Sequence, residues 1–132
     1  MKYHSLISST IGATPLVRLN RINDGLDAQI FAKLEFFNPL GSVKDRIARY
    51  MIEKALADGR LSSGDMVVEN SSGNTAMGLA MMSILENLRC TMVVRQQTSK
   101  EKLDCLRAMG VDLVLVDGHL PPEDPESYNL KA

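Results

Sequence analysis

From Met66 onward the chain alternates in a way that few folds allow. The short apolar run "MVVE" at 66–69 leads into a helix-like stretch from Asn74 to Asn87. "TMVV" at 91–94 leads into another over 99–109, closed by Gly110, and "DLVLVD" follows at 112–117. Short strands alternating with helices predict βαβ units and a parallel sheet. The strand segments are unbroken apolar runs, which predicts helices on both faces of that sheet. Upstream, "AQIFAKLE" at 28–35 reads as a strand and 43–58 as a helix. Ser42 would cap that helix, and Ile47, Met51 and Ala55 fall at helical spacing. In the helix starting at Asn74, Met77, Ala80, Met81, Ile84, Leu85 and Leu88 form an apolar stripe; Leu103, Leu106 and Met109 do so in the next. Met77 and Met81 therefore read as core. The predicted class is α/β.

Composition narrows the function more than the fold. A length of 132 residues suits one compact domain. A net charge of −1 offers no field for nucleic acid or an anionic membrane. No apolar run approaches the ~20 residues that span a bilayer. The opening "MKYHSLISSTIG" lacks the long apolar stretch and cleavage site of a signal peptide. Two cysteines, Cys90 and Cys105, make no disulfide framework and read as packing residues, so a reduced, cytoplasmic protein is expected. His4 and His119 stand alone, without metal-ligand spacing. The absence of GxGxxG and P-loop patterns argues against a nucleotide-binding domain. The Pro- and Glu-rich "GHLPPEDPESYNLKA" at the end reads as a loop.

Two stretches carry possible chemistry, and both lie between a strand and the next helix, where α/β sheets place their sites. In "NSSGNT", Asn70 to Thr75, free N–H groups at a helix start favour an anion. The hydroxyls of Ser71, Ser72 and Thr75 add donors, and Gly73 lets the backbone come close. The loop suits a carboxylate or a phosphate; the alternative is a polar turn with an ordinary cap. In "GSVKDR", Gly41 to Arg46, a lysine occupies the first turn of a helix, the end that disfavours cations. That placement favours the free amine and makes Lys44 a better imine former. The alternative is a solvated surface lysine. Asp45 and Arg46 are placed to pair elsewhere and fix the turn.

Four segments, "IGATPLVRLNRI", "AKLEFFNPLGSVKDRIARYMIEKALADGRLSSGD", "ENSSGNTAMGLA" and "TSKEKLDCLRAMGVDLVLV", occur in one order and spacing. Together they resemble the cysteine synthase and cystathionine β-synthase family, pyridoxal-phosphate enzymes of the tryptophan-synthase β fold. The similarity runs from about Leu6 to Asp117. The resemblance implies that Lys44 forms the covalent link to the cofactor aldehyde and that Asn74 sits beside the ring hydroxyl. It implies that the loop Ser71, Ser72, Gly73, Asn74 and Thr75 grips the carboxylate of a small amino-acid substrate. The implied reaction is β-replacement on an activated serine, with a nucleophile such as a thiol added at Cβ. The family is commonly dimeric, so a homodimer is expected.

The chain also departs from the family. Asn70 stands where proline is usual, Ala76 where glycine is usual, and Arg95, Gln96 and Gln97 replace "MPE". Arg95 would favour an acidic substrate group, or is an ordinary surface arginine. The Gly/Thr-rich phosphate loop and the ring-nitrogen partner, both late in the family's chain, are not found here. The resemblance therefore divides the sequence into residues 1–40, a segment of the large cofactor domain, and 41–132, the small mobile substrate-binding domain, with the rest of the large domain absent. On that reading the 132 residues catalyse nothing alone. The competing reading is a truncated, non-catalytic relative that binds an amino acid or a partner.

Overall fold

The computed structural model describes all 132 residues. Strands β1 (Leu16–Leu19) and β2 (Ile30–Lys33) form an antiparallel pair with Leu16 opposite Lys33 and Leu19 opposite Ile30. Helix α1 (Lys44–Ala57) follows. Then β3 (Met66–Glu69), α2 (Asn74–Leu85), β4 (Arg89–Arg95), α3 (Lys100–Ala108) and β5 (Asp112–Val116) alternate. The last three strands make a separate parallel sheet in the order β3-β4-β5, with Val67 opposite Cys90 and Val93 opposite Val114. The parallel α/β class expected from the alternation is the one found. No helix is long and apolar enough to cross a membrane.

Helices were expected on both faces of the sheet; here they gather on one. The strand order steps twice in the same direction. Two right-handed crossovers that step the same way must leave both helices on one side. The residues confirm it. Val67, Cys90, Met92, Val94, Val111 and Leu113 pack with residues of all three helices. The alternate positions Met66 and Val68 on β3 are exposed, whereas Val93 and Val116 are buried outside that cluster. Tyr128, from the segment after β5, meets Arg95 on this second side.

Helix α2 is the centre of the core. Ala76 and every residue from Gly78 to Ser83 are buried, so the helix is covered nearly all round. Such burial needs apolar residues on every side rather than one stripe, and of the expected stripe only Ile84 is left exposed. Helix α1 differs more from expectation. Its buried line is Asp45, Ala48 and Ile52, while Ile47 and Met51 are exposed. The reason is the close packing of α1 on α2. A Cβ at Gly78 would stand 2.9 Å from the Ala48 methyl and 3.3 Å from the Lys44 carbonyl oxygen. Two small residues bring the backbones together, and the larger side chains turn outward. Beside that outward face, Tyr50, Met51, Leu61, Met66 and Val68 line an apolar cavity of about 450 Å³.

Gly78→Ala should therefore overpack the contact between α1 and α2. A loss of about 1–3 kcal/mol is expected, read as a lower urea midpoint with an unchanged denaturant slope. An unchanged midpoint would show that the two helices separate freely.

Candidate active site

The loop after β3 ends at the first residue of α2, and that helix start opens into a cavity of about 250 Å³. Ser72, Gly73 and Asn74 line it together with Leu40, Met77, Glu101, Lys102 and Cys105. Gly73 is extended (φ −111°, ψ −151°) and no side chain caps the helix. The first N–H groups of α2 are therefore left without a capping side chain, the arrangement that favours an anion. Ser71 does not line the cavity; its Oγ accepts the Gly73 N–H at 3.4 Å and shapes the loop from within. Thr75 is half-buried, one residue inside the helix. Asn74 is exposed.

Lys44 is the first residue of α1 and half-buried, and its ammonium makes no hydrogen bond or ion pair with another residue. Its backbone is firmly held. Val43 already has helical angles (φ −59°, ψ −20°), and the Ser42 hydroxyl oxygen accepts the Lys44 N–H at 3.1 Å. The N-cap is Val43, without a side-chain cap bond, so Ser42, expected there, supports the turn from one residue earlier. Asp45, fully buried, accepts the Leu40 N–H at 2.7 Å through Oδ2, while its Oδ1 has no partner. Burial pushes its carboxyl above the ordinary carboxylate range. The Leu40 that lines the cavity is thereby tied to the residue beside Lys44.

Arg46 makes the second tie. Its guanidinium binds Glu35 at both carboxylate oxygens, with Nε to Oε2 at 2.8 Å and Nη2 to Oε1 at 2.9 Å. Nη2 also reaches the Gly12 carbonyl at 3.0 Å and Thr14 Oγ1 at 3.1 Å. Asn38 donates to Glu35 Oε2 at 2.8 Å and accepts the Gly12 N–H at 2.9 Å. Gly12 is required there: φ is +87°, and a Cβ would stand 2.8 Å from Arg46 Nη1. The Arg46 guanidinium, helped by Asn38 and Thr14, holds Glu35 down at about 2. This cluster fastens residues 12–38 to the start of α1.

The comparisons with known proteins agree with one another. The family model described as pyridoxal-phosphate dependent enzyme matches residues 7–132. The chain belongs to that family. It is 47% identical over 120 residues to cystathionine beta-synthase of Rattus norvegicus, covering 89% of this chain and 21% of that protein. It is 46% identical over 108 residues to a probable cysteine synthase of Bacillus subtilis, covering 82% of this chain and 35% of that protein. Among solved structures, an O-ureido-L-serine synthase superposes with a TM-score of 0.84 at 40% identity, covering 92% of this chain and 38% of that one. The chain therefore spans about a fifth to a third of the length of these curated relatives.

Within this pyridoxal-phosphate family chain, the structure gathers Ser72, Gly73 and Asn74 at one cavity, with Ser71 and Thr75 at its margins. Lys44 does not line that cavity, but its carbonyl packs on α2 one turn beyond Asn74. The sequence reading missed Glu101, Lys102 and Cys105, which come from α3. The rule that a sheet's carboxyl edge forms the site points to them, since α3 also starts from that edge. Cys105, expected in the packing, is exposed; Cys90 is buried, and burial pushes its thiol up. Arg95 is engaged: its guanidinium lies 4.7 Å from the Tyr128 ring centre.

The Glu35 carboxyl sets a pH expectation. Its folded value is depressed from 4.5 to about 2, so its contribution is complete above 4.5 and disappears as pH falls toward 2. Amide protection in residues 8–38, taken relative to the intrinsic exchange rate at each pH, should fall over that window, and Glu35→Gln should remove the acid dependence. Asp45 works in the opposite sense, because its raised value favours the folded state on protonation. The local readout therefore decides the matter rather than global unfolding. Protection in 8–38 that stays constant down to pH 2 would refute the role given to the Glu35–Arg46 pair.

Proposed function

We propose that the chain supplies the covalent lysine and the carboxylate grip of a pyridoxal-phosphate dependent β-replacement enzyme acting on an activated serine. The observation that carries this is the junction of α1 and α2. A lysine free of ion pairs opens α1, and its carbonyl packs on α2 one turn beyond an uncapped start rich in hydroxyls. The donor set fits the aldehyde and ring-hydroxyl end of the cofactor: the free amine of Lys44 for the aldehyde, and the amide of Asn74 for the hydroxyl. When bound, the cofactor supplies the electron sink that makes the substrate Cα–H acidic and lets a group leave Cβ.

The chain's own residues do the rest. The N–H groups at the start of α2, with Ser72 and Thr75, bind and orient the substrate carboxylate. Lys44 takes the proton from Cα once its amine is released. Leu40 and Met77 supply the apolar part of the wall. Asn74 is exposed, so exclusion of water requires a second wall. Turnover accordingly needs a further domain, and residues 1–40 would be the part of this chain that joins it. The small amino-acid substrate and the homodimer carried by the resemblance belong to that completed enzyme.

With added pyridoxal phosphate, borohydride should fix a mass increase on one lysine, Lys44, and Lys44→Ala should abolish it. Labelling of a different lysine would overturn the assignment. Ser72→Ala or Thr75→Ala should weaken amino-acid binding by about 1.5–3 kcal/mol for each hydrogen bond lost to a charged group. Cofactor binding should remain. Loss of cofactor binding with unchanged affinity for O-acetylserine would mean that this loop holds the phosphate instead.

A further inference from the structure

The two departures from the family pattern that flank the substrate loop, Asn70 and Arg95, meet at one side chain. Tyr128, in the segment after β5, donates its hydroxyl to the Asn70 carbonyl oxygen. The Asn70 side chain returns the contact, with Nδ2 donating to the Tyr128 carbonyl at 3.2 Å. Arg95 covers the Tyr128 ring from 4.7 Å, a distance at which a guanidinium and an aromatic face attract. A proline at position 70 has no side-chain amide to make the second bond, and a methionine at 95 has no charge to place over the ring. Asn70 is the residue immediately before Ser71.

We infer that Tyr128 is a positioning residue: with Asn70 and Arg95 it straps the segment 117–132 to the entrance of the substrate loop and sets the pose of Ser71–Thr75. This rests on the proposed reading of that loop as the carboxylate grip. The segment is built to present the tyrosine. Ser127 is buried, its hydroxyl donates to the Pro122 carbonyl at 3.1 Å, and its N–H donates to Asp124 at 2.9 Å. Lys131 pairs with Glu126 across the same turn. The charged groups that face the phenol are Arg95 and Glu69, and burial pushes its pKa up, so the hydroxyl keeps the proton it donates. Both hydrogen bonds act on one residue of β3's exit. Losing them frees the loop without touching its own hydroxyls.

The test is hydrogen–deuterium exchange on the full 132-residue chain, comparing wild type with Tyr128→Phe and Asn70→Ala. Tyr128→Phe keeps the ring and its stacking on Arg95 and removes only the hydroxyl. Asn70→Ala removes only the side-chain bond and leaves the carbonyl acceptor. Each should speed exchange at Met77, whose N–H is bonded to the Gly73 carbonyl, by roughly two- to tenfold, the range set by one hydrogen bond. Exchange in α3 should not change. Arg95→Met should give a smaller effect of the same pattern. Unchanged exchange at Met77 in both single variants would overturn the strap, as would a uniform rise across the chain. Titration of the cofactor-loaded protein with O-acetylserine separates the two claims. A faster-exchanging loop with weaker binding supports both. A faster-exchanging loop with unchanged binding keeps the strap and counts against the loop as the carboxylate grip.

Discussion

The near-contact of α1 and α2 at Gly78 is the constraint on which the rest of the site depends. A missing side chain lets the Lys44 carbonyl and the Ala48 methyl approach the α2 backbone. Lys44 opens α1, and Asn74 opens α2 one turn before the contact. One backbone junction therefore fixes the spacing between the start of α1 and the uncapped start of α2. Interiors are close-packed, so a shift of even one methyl group is transmitted. The neighbouring ties set orientation around that junction: Ser42 accepts the Lys44 N–H, Asp45 holds the turn at Leu40, and Arg46 fastens the preceding segment. These interactions act on the backbone and leave the Lys44 amine free.

Some of this was legible in the sequence, and the reason differs from element to element. The parallel sheet was readable because β3, β4 and β5 are apolar runs separated by helix-length spacers. The face of α1 was not. Ile47 and Met51 make as good an apolar stripe as Ala48 and Ile52, and periodicity alone cannot choose between two stripes on one helix. The choice is made by Gly78 and Ala48, whose contribution is their small size rather than their hydrophobicity. The helices on one face follow from strand order, which is a pairing fact that no local pattern contains. The contact of Tyr128 with Asn70 joins residues 58 apart in a segment whose composition predicts only a loop.

The exposed apolar surface is the counterpart of that geometry. Leu16, Val17 and Phe31 on the hairpin, Ile47, Tyr50 and Met51 on α1, and Met66 and Val68 on β3 are all exposed. Burying such a side chain is worth roughly 1.5–3 kcal/mol, so a handful of them is comparable with a domain's whole stability of about 5–15 kcal/mol. The hairpin is attached to the helical body through Arg46 and Glu35 rather than through a shared apolar core. A polar attachment and an apolar exterior together describe a segment whose own hydrophobic partners are not among its contacts here. Only the hairpin fits that description, because Ile11 before it and Leu40 after it join the core of the helical body.

The allocation of charge around Lys44 follows from the same ties. An ammonium at a helix start would ordinarily recruit a carboxylate, because the helix end repels it. Its sequence neighbour Asp45 is turned inward, buried, and occupied by the Leu40 N–H. Glu35 is saturated by two bonds from Arg46 and further bonds from Asn38 and Thr14. Arginine suits that role better than lysine, since its planar fork matches both carboxylate oxygens at once. A carboxylate so engaged is held ionised and in place, and is not available to a second cation. Lys44 is thus left at the start of α1 without a carboxylate partner. Asp45 and Arg46, each bound to other partners, leave that side chain unpaired, as the proposed bond to an aldehyde requires.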